Sequence, residues 1–227
     1  LPGELLTAAQ DAGVRRVVYA ASSSAYGDTL VLPKTETMLT APKSPYAVQK
    51  LLGEYYLSTW TGCFGLETVC LRFFNVYGPN EYHKGGMISV VKVKYDEIAT
   101  GAPARLFKSD VEGLADGAQA RDFIWVGDVV DVMLWLLDTP HVSGLFNLGT
   151  GTARTYLDLA HAVCDAAGRP RAVAFIDMPA SLRGQYQSFT QAPMDRLRAA
   201  GYDDHDITVI SAAPMASVMA SRRVSPA

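Results

Sequence analysis

Tyr46 and Lys50 stand four residues apart in the stretch SPYAVQK, residues 44–50. On a helix that spacing puts a phenol and an ammonium on one face, about one turn apart. A neighbouring cation favours the phenolate, and a general base working near neutrality needs such help. Taken alone the pair also fits a surface lysine beside a half-buried tyrosine. Ser22, Ser23 and Ser24 lie upstream, directly after the apolar run VRRVVYAA. That run reads as a buried parallel-type strand. Sheets of α/β proteins present the carboxyl ends of their strands to ligands, so a serine hydroxyl there could bond both a substrate hydroxyl and the tyrosine oxygen. A serine run by itself is as well explained by a polar turn. Strand, serine, then Tyr-x-x-x-Lys opening the next helix is the more specific arrangement.

The elements that must hold these groups are legible in outline. ELLTAAQDAG has helical spacing with Gly13 as its stop, and Ser44-Pro45 is a cap followed by proline at the first helical position, carrying a helix to Gly62 or Gly65. LETVCLRFFNVYGPN reads as a strand ending in a Gly-Pro turn, and GGMISVVKVKYDEIATG as a helix. ARLF reads as extended, VEGLADGAQA as a loop, and RDFIWVGDVVDVMLWLL as a strand and a helix. SGLFNLGTG and RAVAF read as strands around the helix TYLDLAHAVCDAAG. This alternation predicts an α/β fold with a largely parallel sheet.

With 227 residues the chain is long enough for a sizeable core. A net charge of −3 gives no electrostatic case for nucleic acid or an anionic membrane. The apolar stretch VVDVMLWLLDTP is interrupted by Asp131 and falls short of the roughly 20 residues of a membrane span. Cys63, Cys70 and Cys164 form no CxxC and read as incidental thiols of a reducing, cytoplasmic protein. The four histidines make no metal-ligand spacing, so no metal is expected.

YAASSSAYGD, SPYAVQK, LRFFNVYGPN and RDFIWVGDVVD, in this order and spacing, resemble the extended short-chain dehydrogenase/reductases in their nucleotide-sugar epimerase branch, over residues 5–203. The resemblance implies a Ser-Tyr-Lys set of Ser22, Tyr46 and Lys50. It further implies a nicotinamide cofactor, NADP or NAD, one per subunit and retained through turnover. Tyr46, Lys50, Val76, Lys84 and Ala20 would line that cofactor. Dehydratases of the superfamily carry Asp-Glu where Ser23-Ser24 stand here, which argues against dehydration. GPNEYHKGGMISV and SLRGQYQSFTQAPMDRLRAAGY resemble the ADP-glyceromanno-heptose 6-epimerases of that branch, in which the HKG lysine, here Lys84, is a second acid/base on the opposite side of the reacting carbon. Residues 5–80 resemble UDP-hexose or UDP-N-acetylhexosamine 4-epimerases more closely. Implied contacts to a nucleotide-diphosphate sugar are Ser22, Ser23, Asn75, Gly86, Phe107, Lys108, Ser109, Asp110, Arg121 and Tyr186, with the Arg121 guanidinium on the diphosphate.

The implied architecture is a partial Rossmann fold that lacks its N-terminal half. Residues 1–77 and 122–150 would form the C-terminal part of the dinucleotide-binding domain. Residues 78–121 and 151–207 would form a small α/β substrate lobe, and 208–227 a disordered tail. The glycine-rich turn that binds pyrophosphate at a helix N-terminus has no counterpart here, since GTG at 149–151 comes late and lacks the GxGxxG spacing. By the resemblance, roughly the first 90 residues of a Rossmann unit precede Leu1, and the chain is expected to be a fragment that binds cofactor weakly on its own. Gly86 and Val93 stand where the family has substrate contacts, with little polarity to offer, and the loop 109–120 is long. The branch pairs its subunits on the flank carrying the Tyr46 helix, so a homo-oligomer is expected for the complete protein. A non-catalytic module that only binds partners is the alternative from another class.

Overall fold

The leucine-alanine helix before Gly13 forms as α1 (Pro2–Asp11) and stops where Gly13 takes a φ of 70°. In this computed structural model, residues 2–29, 31–180, 187–203, 205, 207–210, 215 and 218 are described. The predicted strand follows as β1 (Arg16–Ser22) and runs into a 3-10 turn, Ser23–Tyr26. Helix α2 (Pro45–Phe64) leads to β2 (Glu67–Phe73) and β3 (Asn75–Tyr77). A 3-10 segment, Tyr82–Met87, precedes α3 (Val90–Ala99). Then come β4 (Ala104–Phe107), β5 (Ala120–Arg121), β6 (Phe123–Trp125) and α4 (Val126–Asp138). The chain continues through β7 (Gly144–Leu148), β8 (Arg154–Thr155), α5 (Tyr156–Ala166), β9 (Val173–Ile176) and α6 (Asp195–Ala199).

Two compact units emerge. The first comprises Leu1–Phe74, Val129–Gly151 and Ala192–Asp206. Its centre is a three-stranded parallel sheet in the order β1-β2-β7, with Tyr19 opposite Cys70 and Leu71 opposite Phe146. Among the described residues β1 pairs with β2 alone and forms one flank of that sheet. Leu6 of α1, Leu57 of α2, and Ala21, Leu66 and Cys70 pack as one apolar cluster. In α4, Val129, Val132 and Leu136 are buried at helical spacing, and Trp135 meets the Tyr202 ring edge-on at 5.1 Å.

The second unit comprises Asn75–Asp128, Thr152–Gln191 and Ile207–Ala227. It is held by two parallel pairs, β3 with β6 and β4 with β9, and an antiparallel pair, β5 with β8. Its core joins Tyr77, Val91, Ile98, Leu106, Phe123, Leu159 and Val163. Helix α5 opens on a capping box in which Thr155 and Asp158 satisfy each other's backbone amides.

Among the described residues the parallel strands of the expected α/β fold form a three-stranded sheet and two separate pairs. Two expectations are corrected. LETVCLRFFNVYGPN is two strands, because the amide of Phe74 donates to Leu148 whereas that of Asn75 donates to Asp122. The helix foreseen from Gly85 starts only at Val90. Ser89 caps it, and Gly85 sits at φ 55°, ψ −126°, a conformation only glycine adopts readily. Residues 75–77 and 122–128 lie in the second unit, where β3 pairs with β6, and 192–206 lie in the first, where α6 meets β7. Met215 and Val218 are buried in the second unit's core. The rest of 211–227 lies outside the described residues. Among the described residues no helix is long and apolar enough to cross a membrane.

Candidate active site

Ser44 has extended backbone, φ −142° and ψ 155°, and its hydroxyl accepts from the Ala47 amide at 3.1 Å. Pro45 follows at the first helical position. These two residues fix where α2 begins, and so place Tyr46 in its first turn, 48% exposed. One turn later the Lys50 ammonium donates to the Ala20 carbonyl on β1 at 2.8 Å. It lies 5.7 Å from the centre of the Tyr46 ring and 5.5 Å from that of Tyr19, within cation–π reach of both. The close approach of α2 to β1 depends on Gly53, where a Cβ would come within 2.3 Å of the Tyr19 ring. Burial pushes the Tyr19 phenol up, with further help from Cys70, Glu54 and Tyr46, so Tyr19 stays neutral and serves as a wall for Lys50.

Ser22 ends β1, two residues beyond the Lys50 contact, and is buried. Its Oγ accepts from the Ser24 amide at 3.2 Å and the Ser24 hydroxyl at 2.8 Å. A hydroxyl has two acceptor sites and one proton, so the Ser22 proton remains to be donated. Ser23 opens the 3-10 turn and is half-buried. The first unit thus gathers a half-exposed phenol, an ammonium bonded to one backbone carbonyl and a serine O–H at the carboxyl end of a parallel sheet. That donor set fits the ribose hydroxyls of a dinucleotide.

The second unit carries the remaining residues. Lys84 is exposed and paired to Glu81 at 3.3 Å. Glu81 is buried and also accepts from the amides of Gly78 at 3.3 Å and Ser89 at 2.9 Å, so one carboxylate ties both ends of the turn bearing Lys84. Burial opposes ionisation of Glu81, but Ser89, Gly78 and Lys84 outweigh it and hold the carboxyl below its ordinary value. Its contribution to stability is therefore complete above about pH 4.5 and is lost as pH falls through the lowered value. Glu81→Gln should cost about 1–3 kcal/mol at pH 7 by urea unfolding, with the gap to the parent narrowing as pH falls below the ordinary carboxylate range. A gap that does not narrow in acid would mean the charge is irrelevant.

Asn75 donates through its side chain to Asp122 and Thr190, Val76 pairs with Ile124 in the β3–β6 ladder, and Gly86 is exposed. Phe107 and Val93 line a cavity of about 280 Å³ with Tyr156, Gln119, Lys94 and Glu97. Beside it Lys108 is exposed and paired with Asp177, the Ser109 amide is held by Asp116, and Asp110 faces solvent. Arg121 does not project into solvent. It is buried, donates to the carbonyls of Ala120 and Gln187, and lies 5.8 Å from the Tyr156 ring. Tyr186 lies outside the described residues. A second cavity, about 620 Å³, flanks α2 beside Glu54, Cys70 and Arg72, and none of Ser22, Tyr46 or Lys50 lines it. Burial pushes the Cys70 thiol up to about 12, which makes it a poor nucleophile.

The family described as "NAD dependent epimerase/dehydratase family" matches residues 1–149, well over half of the chain. The chain belongs to that family. Its sequence is similar to ADP-L-glycero-D-manno-heptose-6-epimerase of Nitratidesulfovibrio vulgaris strain DP4, at 47% identity over 189 residues, covering 82% of this chain and 58% of that protein. The enzyme of the same name from Alkalilimnicola ehrlichii is 44% identical over 189 residues, with 82% and 57% covered. The chain therefore spans less than two thirds of the length of these epimerase/dehydratase relatives. Among solved structures, Thermus thermophilus UDP-glucose 4-epimerase in complex with NAD superposes with a TM-score of 0.75 at 29% identity, over 96% of this chain and 67% of that one. UDP-N-acetylglucosamine 4-epimerase from Methanobrevibacter ruminantium, with a TM-score of 0.81 at 24% identity over 96% and 66%, shares the fold. The expected partial Rossmann architecture agrees with these likenesses. Sequence reasoning passed over Tyr19, Gly53, Glu54, Arg72 and Glu81. A glycine inside a helix and an arginine inside an apolar strand were the available signals.

Proposed function

We propose that this epimerase/dehydratase chain belongs to a nucleotide-sugar epimerase that converts ADP-D-glycero-D-manno-heptose to ADP-L-glycero-D-manno-heptose at C-6. The observation that carries the reading is the Lys50 ammonium, anchored to Ala20 at the sheet's carboxyl end while facing the half-exposed Tyr46 ring. The 44–47% identity to heptose epimerases supports the substrate.

A nicotinamide dinucleotide, NADP or NAD, one per subunit and retained through turnover, supplies a reversible two-electron oxidation when bound. Tyr46, Lys50, Ala20, Val76 and Lys84 are the residues that would hold it. The Tyr46 phenolate, its charge offset by Lys50, takes the proton of the sugar hydroxyl as C-6 gives up a hydride and becomes a ketone. Ser22, whose proton is uncommitted, holds the same sugar oxygen. Lys84 gives a proton to the oxygen as the hydride is restored to the other face of the turned ketone. Asn75, Gly86, Phe107, Lys108, Ser109, Asp110, Arg121 and Tyr186 form the proposed sugar and nucleotide contacts, and the complete protein is proposed to be a homo-oligomer. Arg121 would have to exchange its backbone carbonyls for the diphosphate.

The test is inversion at C-6 followed by NMR with the complete gene product, alongside UDP-glucose and UDP-N-acetylglucosamine, and release of the bound dinucleotide for mass measurement. The second reading, a UDP-sugar 4-epimerase, is favoured by the likeness to the Thermus enzyme, and inversion at C-4 would establish it instead. Lys84→Ala is expected to lower C-6 turnover by about 10²–10⁴-fold. Undiminished turnover in that variant would eliminate the two-base scheme.

A further inference from the structure

Tyr46, Lys50 and Glu54 follow one another at four-residue steps on α2. At about 100° per residue they fall within about 80° of one face, and that stripe descends from Tyr46, 48% exposed, to Glu54, 7% exposed. At its buried end Glu54 meets Arg72 of β2 as a two-pronged pair, Nε to Oε1 at 2.9 Å and Nη2 to Oε2 at 2.6 Å. The guanidinium also lies 4.5 Å from the centre of the Tyr26 ring. The Tyr26 hydroxyl donates to Asn147 of β7 at 2.6 Å, and Asn147 in turn is bonded to Glu36 and to the Lys34 carbonyl. One polar chain thus runs within the first unit from α2 through β2 and β7 to the loop at 34–36.

Stability is a poor reason for such a network, because apolar residues of similar volume usually serve as well as a buried ion pair or better. A guanidinium–carboxylate fork does something that apolar packing does not: it accepts one relative orientation of its two partners. Rotation of a helix by about 20° moves a side-chain tip 6 Å from its axis by about 2 Å. A misplacement of about 1 Å at a reacting group can cost about 100-fold in rate.

We propose that Glu54 and Arg72 are positioning residues that set the rotational register of α2, and with it the aim of Tyr46 and the Lys50 ammonium. The inference rests on the proposed acid/base role of Tyr46. Neither Glu54 nor Arg72 touches the sugar in this scheme; they act through the helix.

The test compares the complete gene product with Glu54→Leu/Arg72→Met and with Arg72→Lys, which keeps the charge but loses the fork. Three quantities are read: thermal midpoint, kcat and KM for the heptose substrate, and the NMR signal of the Tyr46 ring, assigned by its loss in Tyr46→Phe. The double variant is expected to keep its thermal midpoint, lose about 30-fold or more in kcat with KM changed less than about threefold, and shift the Tyr46 signal. Arg72→Lys should fall in kcat as well. A double variant with parental kcat and an unmoved Tyr46 signal overturns the proposal. If the parent turns over no nucleotide sugar yet the ring signal still moves, the functional reading fails while the positioning role stands.

Discussion

Tyr46→Phe in the complete gene product is expected to lower turnover by about 10²–10⁴-fold while KM changes by no more than about twofold. The substitution is narrow. Phenylalanine keeps the ring, its half-exposed place in the first turn of α2 and its position below the Lys50 ammonium at 5.7 Å. Only the oxygen that would take the sugar proton is removed. Because an exposed side chain with no buried partner contributes little to folding, unfolding free energy should stay within about 0.5 kcal/mol of the parent. NMR-monitored inversion and urea unfolding on the same preparation check both halves. Parental turnover in Tyr46→Phe would leave the site without its base, and with it the enzymatic reading would fall.

The largest expected effect on stability comes from Arg72→Met. Arg72 and Glu54 are 3% and 8% exposed at their side chains and are joined by two hydrogen bonds, which leave Arg72 Nη1 buried without a partner among the described residues. Burial opposes the charge on Arg72, yet its hydrogen bonds to Glu54 and its interaction with Tyr26 hold the guanidinium above its ordinary value. Removing the arginine alone strands a carboxylate in the interior, at a cost of about 3–5 kcal/mol. Adding Glu54→Leu should recover most of that loss, since the stranded charge is what costs. Urea unfolding of the two variants gives the answer directly. A single variant within about 1 kcal/mol of the parent would mean that water reaches Glu54 freely.

What the sequence could reveal followed the reach of each interaction. Ser44, Pro45 and Gly65 act over one helical turn, and the limits of α2 were readable from them. The strand at Arg16–Ser22 and the pairing of Tyr46 with Lys50 on one face follow from local periodicity. By contrast, the break at Phe74 is decided by carbonyls far along the chain, at Leu148 and Asp122. The fork between Glu54 and Arg72 joins a helix to a strand in a register fixed by β1–β2 pairing, and only Arg72's odd place in an apolar strand hinted at it. Arg121 was expected at a phosphate because guanidinium suits one. Its occupation by the Gln187 carbonyl and the Tyr156 face depends on residues that a motif does not contain. Lys84 and its motif were legible, whereas the Glu81 carboxylate that closes the turn around it was not, because the Gly78 and Ser89 amides that it accepts from have no sequence signature.

The position of β1 on the flank of the three-stranded sheet has a consequence for handling. Val17, Val18, Tyr19, Ala20 and Ala21 form a run with neither charge nor proline, and one row of its peptide groups meets no strand among the described residues. Such a row templates the addition of further strands, including those of identical molecules. These 227 residues, prepared by themselves, are accordingly prone to concentration-dependent self-association, and colloidal behaviour rather than chemistry sets the first practical limit on working with them.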